Sequence, residues 1–144
     1  AIGAKLGCPH RKVVSLVGDG GLTSVLGALA TAVELDVPVI WVLFNNYCFS
    51  TIACMGQSYF NSRYGTEFRR SDGTPYNPDF QGLAEAFGLQ AYLVQHPDQL
   101  GHALRQALEA DRPALVEVRT RGDIPMPRTG YWDIAELFAG TPGV

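Results

Sequence analysis

A carboxylate and a pair of amides stand at the ends of two apolar runs. "GDGG", Gly18 to Gly21, follows "VVSLV", and "NN", Asn45 and Asn46, closes "VPVIWVLF". Carboxylate and amide oxygens are hard donors, suited to Mg²⁺ or Ca²⁺ and poor for zinc or copper. Mg²⁺ takes only one or two carboxylates and completes its octahedron with phosphate oxygens and water. Gly20 and Gly21 let backbone N–H groups approach an anion at the start of a following helix, where the helix dipole also favours negative charge. The residues therefore describe a Mg²⁺-phosphate site without a Walker-type lysine. Taken singly, Asp-Gly after a strand is an ordinary turn and Asn-Asn an ordinary capped loop, so the two halves gain meaning only if the fold brings them together.

The elements that would do so alternate. Lys12 to Val17 is a β-branched run expected as a strand covered on both faces. Leu22, Val25, Leu26, Leu29 and Val33 fall at helical spacing, predicting one helix from Gly21 to Asp36. Val37 to Phe44 is a second buried strand, and "CFSTIACMGQSYF" contains a helix. Asn61 to Asn77 is a long polar and aromatic loop carrying Arg63, Arg69 and Arg70 among Tyr64 and Phe68, close after Tyr59 and Phe60. A loop of that length is functional or mobile in a compact domain; a solvated interface and a part in substrate access both fit it. Asn77-Pro78 reads as an N-cap with proline at the first helical position, and Gly88 as that helix's stop. Strand "QAYLV", helix "PDQLGHALRQALEAD" and strand "PALVEVRT" follow, then an irregular tail bearing Trp132 and a short terminal helix. This alternation predicts right-handed crossovers and an α/β, doubly wound, mainly parallel sheet with helices on both faces. In such a sheet Asp19 and Asn46 share one edge, with strands about 4.8 Å apart.

Composition narrows the partners. The chain has 144 residues, 47% of them apolar, enough for one domain with a core. Its net charge of -3 and pI near 5.5 argue against nucleic acid or an anionic membrane as partner. No apolar stretch reaches membrane-spanning length, and "AIGAKLGCPHRK" lacks the pattern of a signal peptide. Cys8, Cys48 and Cys54 show no C-x-x-C spacing, which fits a reduced, cytoplasmic setting better than a zinc site or a disulfide framework. His10, His96 and His102 are scattered and read as exposed or capping residues. Glu34 and Asp36 read as a solvated helix end.

"GDG", 24 intervening residues and "NN" resemble the thiamine-diphosphate motif of the thiamin-dependent enzymes. "ALATAVELDVPVIWVLFNN" is similar to the branch that holds acetolactate synthase, pyruvate oxidase and the 2-oxo-acid decarboxylases. The likeness runs from "AIGAKLG" to "RPALVEVRT". It implies that residues 1–144 are the C-terminal diphosphate-binding (PP) domain of a longer three-domain enzyme, beginning in mid-helix. Carried over by position, Asp19 and Asn46 are expected to bind Mg²⁺ through side-chain oxygens and Cys48 through its backbone carbonyl, with Asn45 buttressing the loop. Gly18, Asp19, Gly20, Gly21, Asn46, Cys48 and Phe49 form the expected cofactor-binding set. The chain departs from relatives that carry Ser at the position of Gly21, and from "NNGGYG"-like loops, where it has the bulkier "NNYCFST".

The resemblance further implies a homo-oligomer acting on a 2-oxo acid. The catalytic glutamate would come from a pyrimidine-binding domain of the neighbouring subunit, so no residue of this chain is assigned a catalytic role and the fragment alone would not turn over. Acetolactate synthase-like carboligation is the first expectation among the activities. A non-catalytic interaction or regulatory domain that keeps this fold is the alternative. A nucleotide-binding module is disfavoured, since neither G-x-G-x-x-G nor a Walker lysine follows "VVSLV".

Overall fold

The computed structural model describes residues 1–124. The expected terminal helix and Trp132 lie outside them. Four parallel strands, β1 (Val13–Gly18), β2 (Val39–Asn45), β3 (Gln90–Val94) and β4 (Ala114–Arg119), form one sheet in the order β1-β2-β4-β3. The inner strands β2 and β4 are the apolar runs "VIWVLFN" and "ALVEVR", buried on both faces along most of their length. Helices cover both sides, as the alternation predicts. Trp41, Leu43 and Leu115 on one face pack with Leu22, Leu29, Phe80 and Ala84 of the helices. Ile40, Val42 and Val116 on the other meet Ala103 and Ala107 of α6 (Pro97–Ala110).

β1 departs from expectation. It was predicted to be covered on both faces, but its residues alternate, leaving Val14 and Leu16 exposed. Among the described residues β1 stands at the edge of the sheet, and α6 packs against β3 and β4 rather than reaching over it.

The helix expected from Gly21 to Asp36 is two helices, α2 (Asp19–Thr23) and α3 (Gly27–Glu34), joined by a turn at Ser24–Leu26. The Thr23 and Ser24 hydroxyls donate back to the carbonyls of Asp19 (2.8 Å) and Gly20 (3.0 Å). The turn continues with tighter i→i+3 bonds, Val25 N–H to Leu22 O among them, so the ladder breaks while the apolar spacing persists. α2 also begins two residues early, with extended Gly18 as its N-cap and Asp19 in its first turn.

α1 (Ile2–Gly7) and α4 (Ser50–Phe60) form where the sequence places them. α5 (Phe80–Ala86) starts later than expected: its N-cap is Asp79, whose carboxylate accepts from Gly82 N–H (3.1 Å), and not Asn77. Gly88, at φ 87°, follows its end as the stop. His96 is the N-cap of α6, and His10, His102, Glu34 and Asp36 are exposed.

The 61–77 segment is anchored rather than loose. Phe49 N–H donates to Thr66 O and Phe68 N–H to Tyr47 O, both 2.8 Å, and Arg69 bridges to Pro75. Glu67 accepts from Arg63 Nε (2.9 Å) and Arg69 Nε (2.8 Å). These bonds, Arg69 first and Arg63 second, hold the Glu67 carboxyl below its ordinary range. Among the described residues no helix is long and apolar enough to cross a membrane.

Two outcomes follow from this packing. Leu43 is fully buried, so Leu43→Ala should lower stability by about 2–5 kcal/mol in urea denaturation. A lowered folded-state pKa gives Glu67 a stabilising effect that is complete above the unfolded carboxylate value, about 4.3, and lost as pH falls through the folded one. Proteolytic cleavage within residues 61–77 should therefore accelerate on acidification below about pH 4.3, and Glu67→Gln should remove that step.

Candidate functional site

The register that pairs Gly18 with Phe44 and Asn45 with Arg119 brings the C-terminal ends of β1, β2 and β4 to one edge. The "GDGG" and "NN" halves thus meet across adjacent strands. Asp19 is 1% exposed. Its Oδ1 accepts from Gly20 N–H (2.9 Å), and its Oδ2 from Asn46 N–H (3.2 Å), Tyr47 N–H (2.6 Å) and Asn77 Nδ2 (2.7 Å). The two oxygens are thereby made unequal: Oδ2 is saturated, while Oδ1 keeps a lone pair.

Asn46 folds its side chain onto its own loop. Oδ1 accepts from Cys48 N–H (3.1 Å), an Asx-type turn, and Nδ2 donates to Ser50 Oγ (2.6 Å). Tyr47 stands in the left-handed region at φ 59°, and its hydroxyl accepts from the Arg119 guanidinium. Cys48 pairs antiparallel with Glu67, and it is the flanking residues 47 and 49 that bond to the loop strand. Its own N–H and carbonyl therefore point away from residues 66–68. Among the described residues none donates to that carbonyl.

Asp19 Oδ1 at the end of β1, and Asn46 Oδ1 and the Cys48 carbonyl in the loop after β2, are thus three hard oxygens with lone-pair capacity at two adjacent strand ends. This donor set fits Mg²⁺ held by one carboxylate and neutral oxygens. No group of three His, Cys, Asp or Glu residues able to hold a metal forms among the described residues.

Of the other expected residues, Gly20 is buried, and a Cβ there would fall on the Phe49 ring, so the close approach requires glycine. Phe49 packs edge-on against Phe68, with ring centroids 4.8 Å apart. The N–H groups of Gly20 and Phe49 are already engaged with protein acceptors. Gly18 and Gly21 are exposed beside them. The first turn of α4, directly after Phe49, offers N–H groups without intrahelical partners. A cavity of about 370 Å³ lies on the loop side, lined by Asn46, Tyr47, Cys48, Arg63, Glu67 and Arg69 among others, and is not bordered by Asp19 or Gly20.

Three residues of the site escape the motif reading. Asn77 was predicted to cap a helix, but its Nδ2 instead bridges Asp19 Oδ2 and Asn45 Oδ1 (2.6 Å). Glu117 is fully buried; it accepts from Asn45 Nδ2 (2.6 Å) and Gln81 Nε2 (3.1 Å), and its Oε1 forms an ion pair with Arg119 Nε (2.9 Å). A lone acid inside the apolar run "PALVEV" was the available signal for Glu117, since such a group is buried only when partnered. Arg119, at the end of the same strand, gave none.

Comparison with known proteins identifies the family. Residues 1–118 match the family described as "Thiamine pyrophosphate enzyme, C-terminal TPP binding domain". The chain is 35% identical over 118 residues to acetolactate synthase of Bacillus subtilis (strain 168), covering 82% of this chain and 20% of that protein. It is 32% identical over 132 residues to 3D-(3,5/4)-trihydroxycyclohexane-1,2-dione hydrolase of Bacillus licheniformis, covering 92% of this chain and again 20% of the relative. Among solved structures, the thiamine diphosphate-dependent 4-hydroxybenzoylformate decarboxylase of Rhodococcus jostii RHA1 superposes with a TM-score of 0.72 at 30% identity, over 84% of this chain and 22% of that one. The chain spans about a fifth of the length of these relatives. Sequence and fold agree, and the chain belongs to the thiamine pyrophosphate enzymes, matching their C-terminal TPP-binding domain.

Proposed function

We propose that this chain anchors the diphosphate of thiamine diphosphate through Mg²⁺, as part of a 2-oxo-acid decarboxylase or carboligase with acetolactate synthase-like activity. The observation that carries the reading is the pair of bonds from Asn46 N–H (3.2 Å) and Tyr47 N–H (2.6 Å) to the buried Asp19 carboxylate, which joins the "GDGG" and "NN" halves at the β1–β2 edge. Asp19 Oδ1, Asn46 Oδ1 and the Cys48 carbonyl would ligate the metal, leaving its other positions to phosphate oxygens and water. Gly18 and Gly21, exposed beside Asp19, keep that approach free of side chains. The backbone around Phe49, with its free N–H groups at the first turn of α4, would receive the anion. Thiamine diphosphate, when bound, supplies a nucleophilic carbon and an electron sink for cleaving or forming bonds next to a carbonyl.

The chain's own contribution is position. Burial of Asp19 and the bonds that fix its Oδ2 hold the metal-facing oxygen in place, and the fixed metal in turn sets where the reactive ring stands. The chemistry would be completed by a glutamate of a pyrimidine-binding domain from a neighbouring subunit, within a cytoplasmic homo-oligomer.

In the full-length protein, thiamine diphosphate with Mg²⁺ should raise the melting temperature by a few degrees, since a ligand at about 100 times its Kd adds about 2.7 kcal/mol. Asp19→Ala should abolish the shift, and the isosteric Asp19→Asn should remove most of it. An undiminished shift in both variants would contradict the assignment.

A further inference from the structure

A chain of obligatory hydrogen-bond polarity runs from the sheet interior to the site. Glu117, fully buried on β4, is held by Arg119 Nε (2.9 Å) and Gln81 Nε2 (3.1 Å). A carboxylate only accepts, so the end of the Asn45 amide that faces it, 2.6 Å away, must be the NH₂. Asn45 is itself fully buried, and its carbonyl oxygen is therefore turned toward Asn77. Asn77 must answer with its own NH₂, at 2.6 Å. The second hydrogen of that NH₂ reaches Asp19 Oδ2 at 2.7 Å. Each orientation compels the next. Tyr47 closes the circuit, since its N–H donates to Asp19 Oδ2 (2.6 Å) and its hydroxyl accepts from Arg119.

We propose that Asn77 is a positioning residue for the metal-binding carboxylate: oriented by Asn45 and Glu117, it holds Asp19 Oδ2 so that Oδ1 alone is presented to the cation. The inference rests on the Mg²⁺-diphosphate reading above and adds to it the residue that sets the carboxylate's orientation. Asn77 reaches the site from the end of the 61–77 segment, so the same bond also ties that segment to the metal side of the fold. Outer partners of ligating carboxylates affect metal affinity by about 10–100-fold, which sets the size of the expected effect.

The test is a Mg²⁺ titration of the full-length protein at fixed thiamine diphosphate, followed by melting temperature, for wild type, Asn77→Ala and Asn77→Asp. Melting without ligand is measured in parallel. Asn77 is half-buried and outside the helices, so the unliganded variants should melt within a few degrees of wild type. Asn77→Ala should weaken apparent Mg²⁺ affinity about tenfold or more. Asn77→Asp keeps the shape but turns an acceptor toward Asp19, and it should weaken affinity at least as much. A merely structural role would lower unliganded melting and leave the Mg²⁺ dependence where it was, and that result overturns the inference. Near-wild-type affinity in Asn77→Asp would overturn it equally, because shape rather than the donated hydrogen would then suffice. Absence of any Mg²⁺ response in wild type would instead sink the underlying site reading.

Discussion

Burial of the Asp19 carboxylate is the constraint on which the rest of the site depends. An ionisable oxygen pair that is 1% exposed costs several kcal/mol unless each oxygen is met by donors or a cation. The strand end alone cannot meet it. Gly20 N–H is its local donor, and the other three, from Asn46, Tyr47 and Asn77, arrive from segments 27 to 58 residues away in sequence. The β1–β2 pairing, the left-handed turn at Tyr47 and the path of the 61–77 segment are therefore linked through one side chain.

That linkage carries a second buried acid. Glu117 lies within the apolar interior and is tolerated because two donors, one from β2 and one from α5, and the Arg119 cation of β4 itself converge on it. Arg119 is shared between Glu117 and the Tyr47 hydroxyl. In Tyr47 the loop has a side chain at positive φ, a conformation that costs a non-glycine residue about 1 kcal/mol or more, and the contact with Arg119 offsets that cost. The bulk of "NNYCFST" relative to glycine-rich loops is thus accommodated by tethering Tyr47 to Arg119 and pairing the loop with residues 66–68.

The sheet was legible in the sequence because its strands are short, mainly apolar runs set between helical segments, and Asp19 and Asn46 share an edge because parallel strands end on the same side. Legibility failed where side chains compete with backbone. Thr23 and Ser24 break a helix whose apolar spacing never falters. Asn77, a good cap by type, is drawn instead to two acceptors 58 and 32 residues away, and Asp79 takes the capping role. The place of β1 at the sheet edge among the described residues is a matter of strand order, which local pattern does not encode. Motif spacing singled out Asp19 and Asn46, which the fold brings together; it carried no information about Glu117 or Arg119, whose parts arise only once β4 lies beside β2.

The central claim is that one cation can occupy the oxygens of Asp19, Asn46 and Cys48 together. Its most direct measurement is a crystal structure of the full-length protein with thiamine diphosphate and Mn²⁺ in place of Mg²⁺, with anomalous scattering locating the metal. The account predicts one peak within about 2.0–2.3 Å of Asp19 Oδ1, Asn46 Oδ1 and the Cys48 carbonyl, close to Mg²⁺–oxygen distances, and bridging to the diphosphate. A peak that excludes any two of these oxygens, or a diphosphate bound with no metal at this edge, would contradict it.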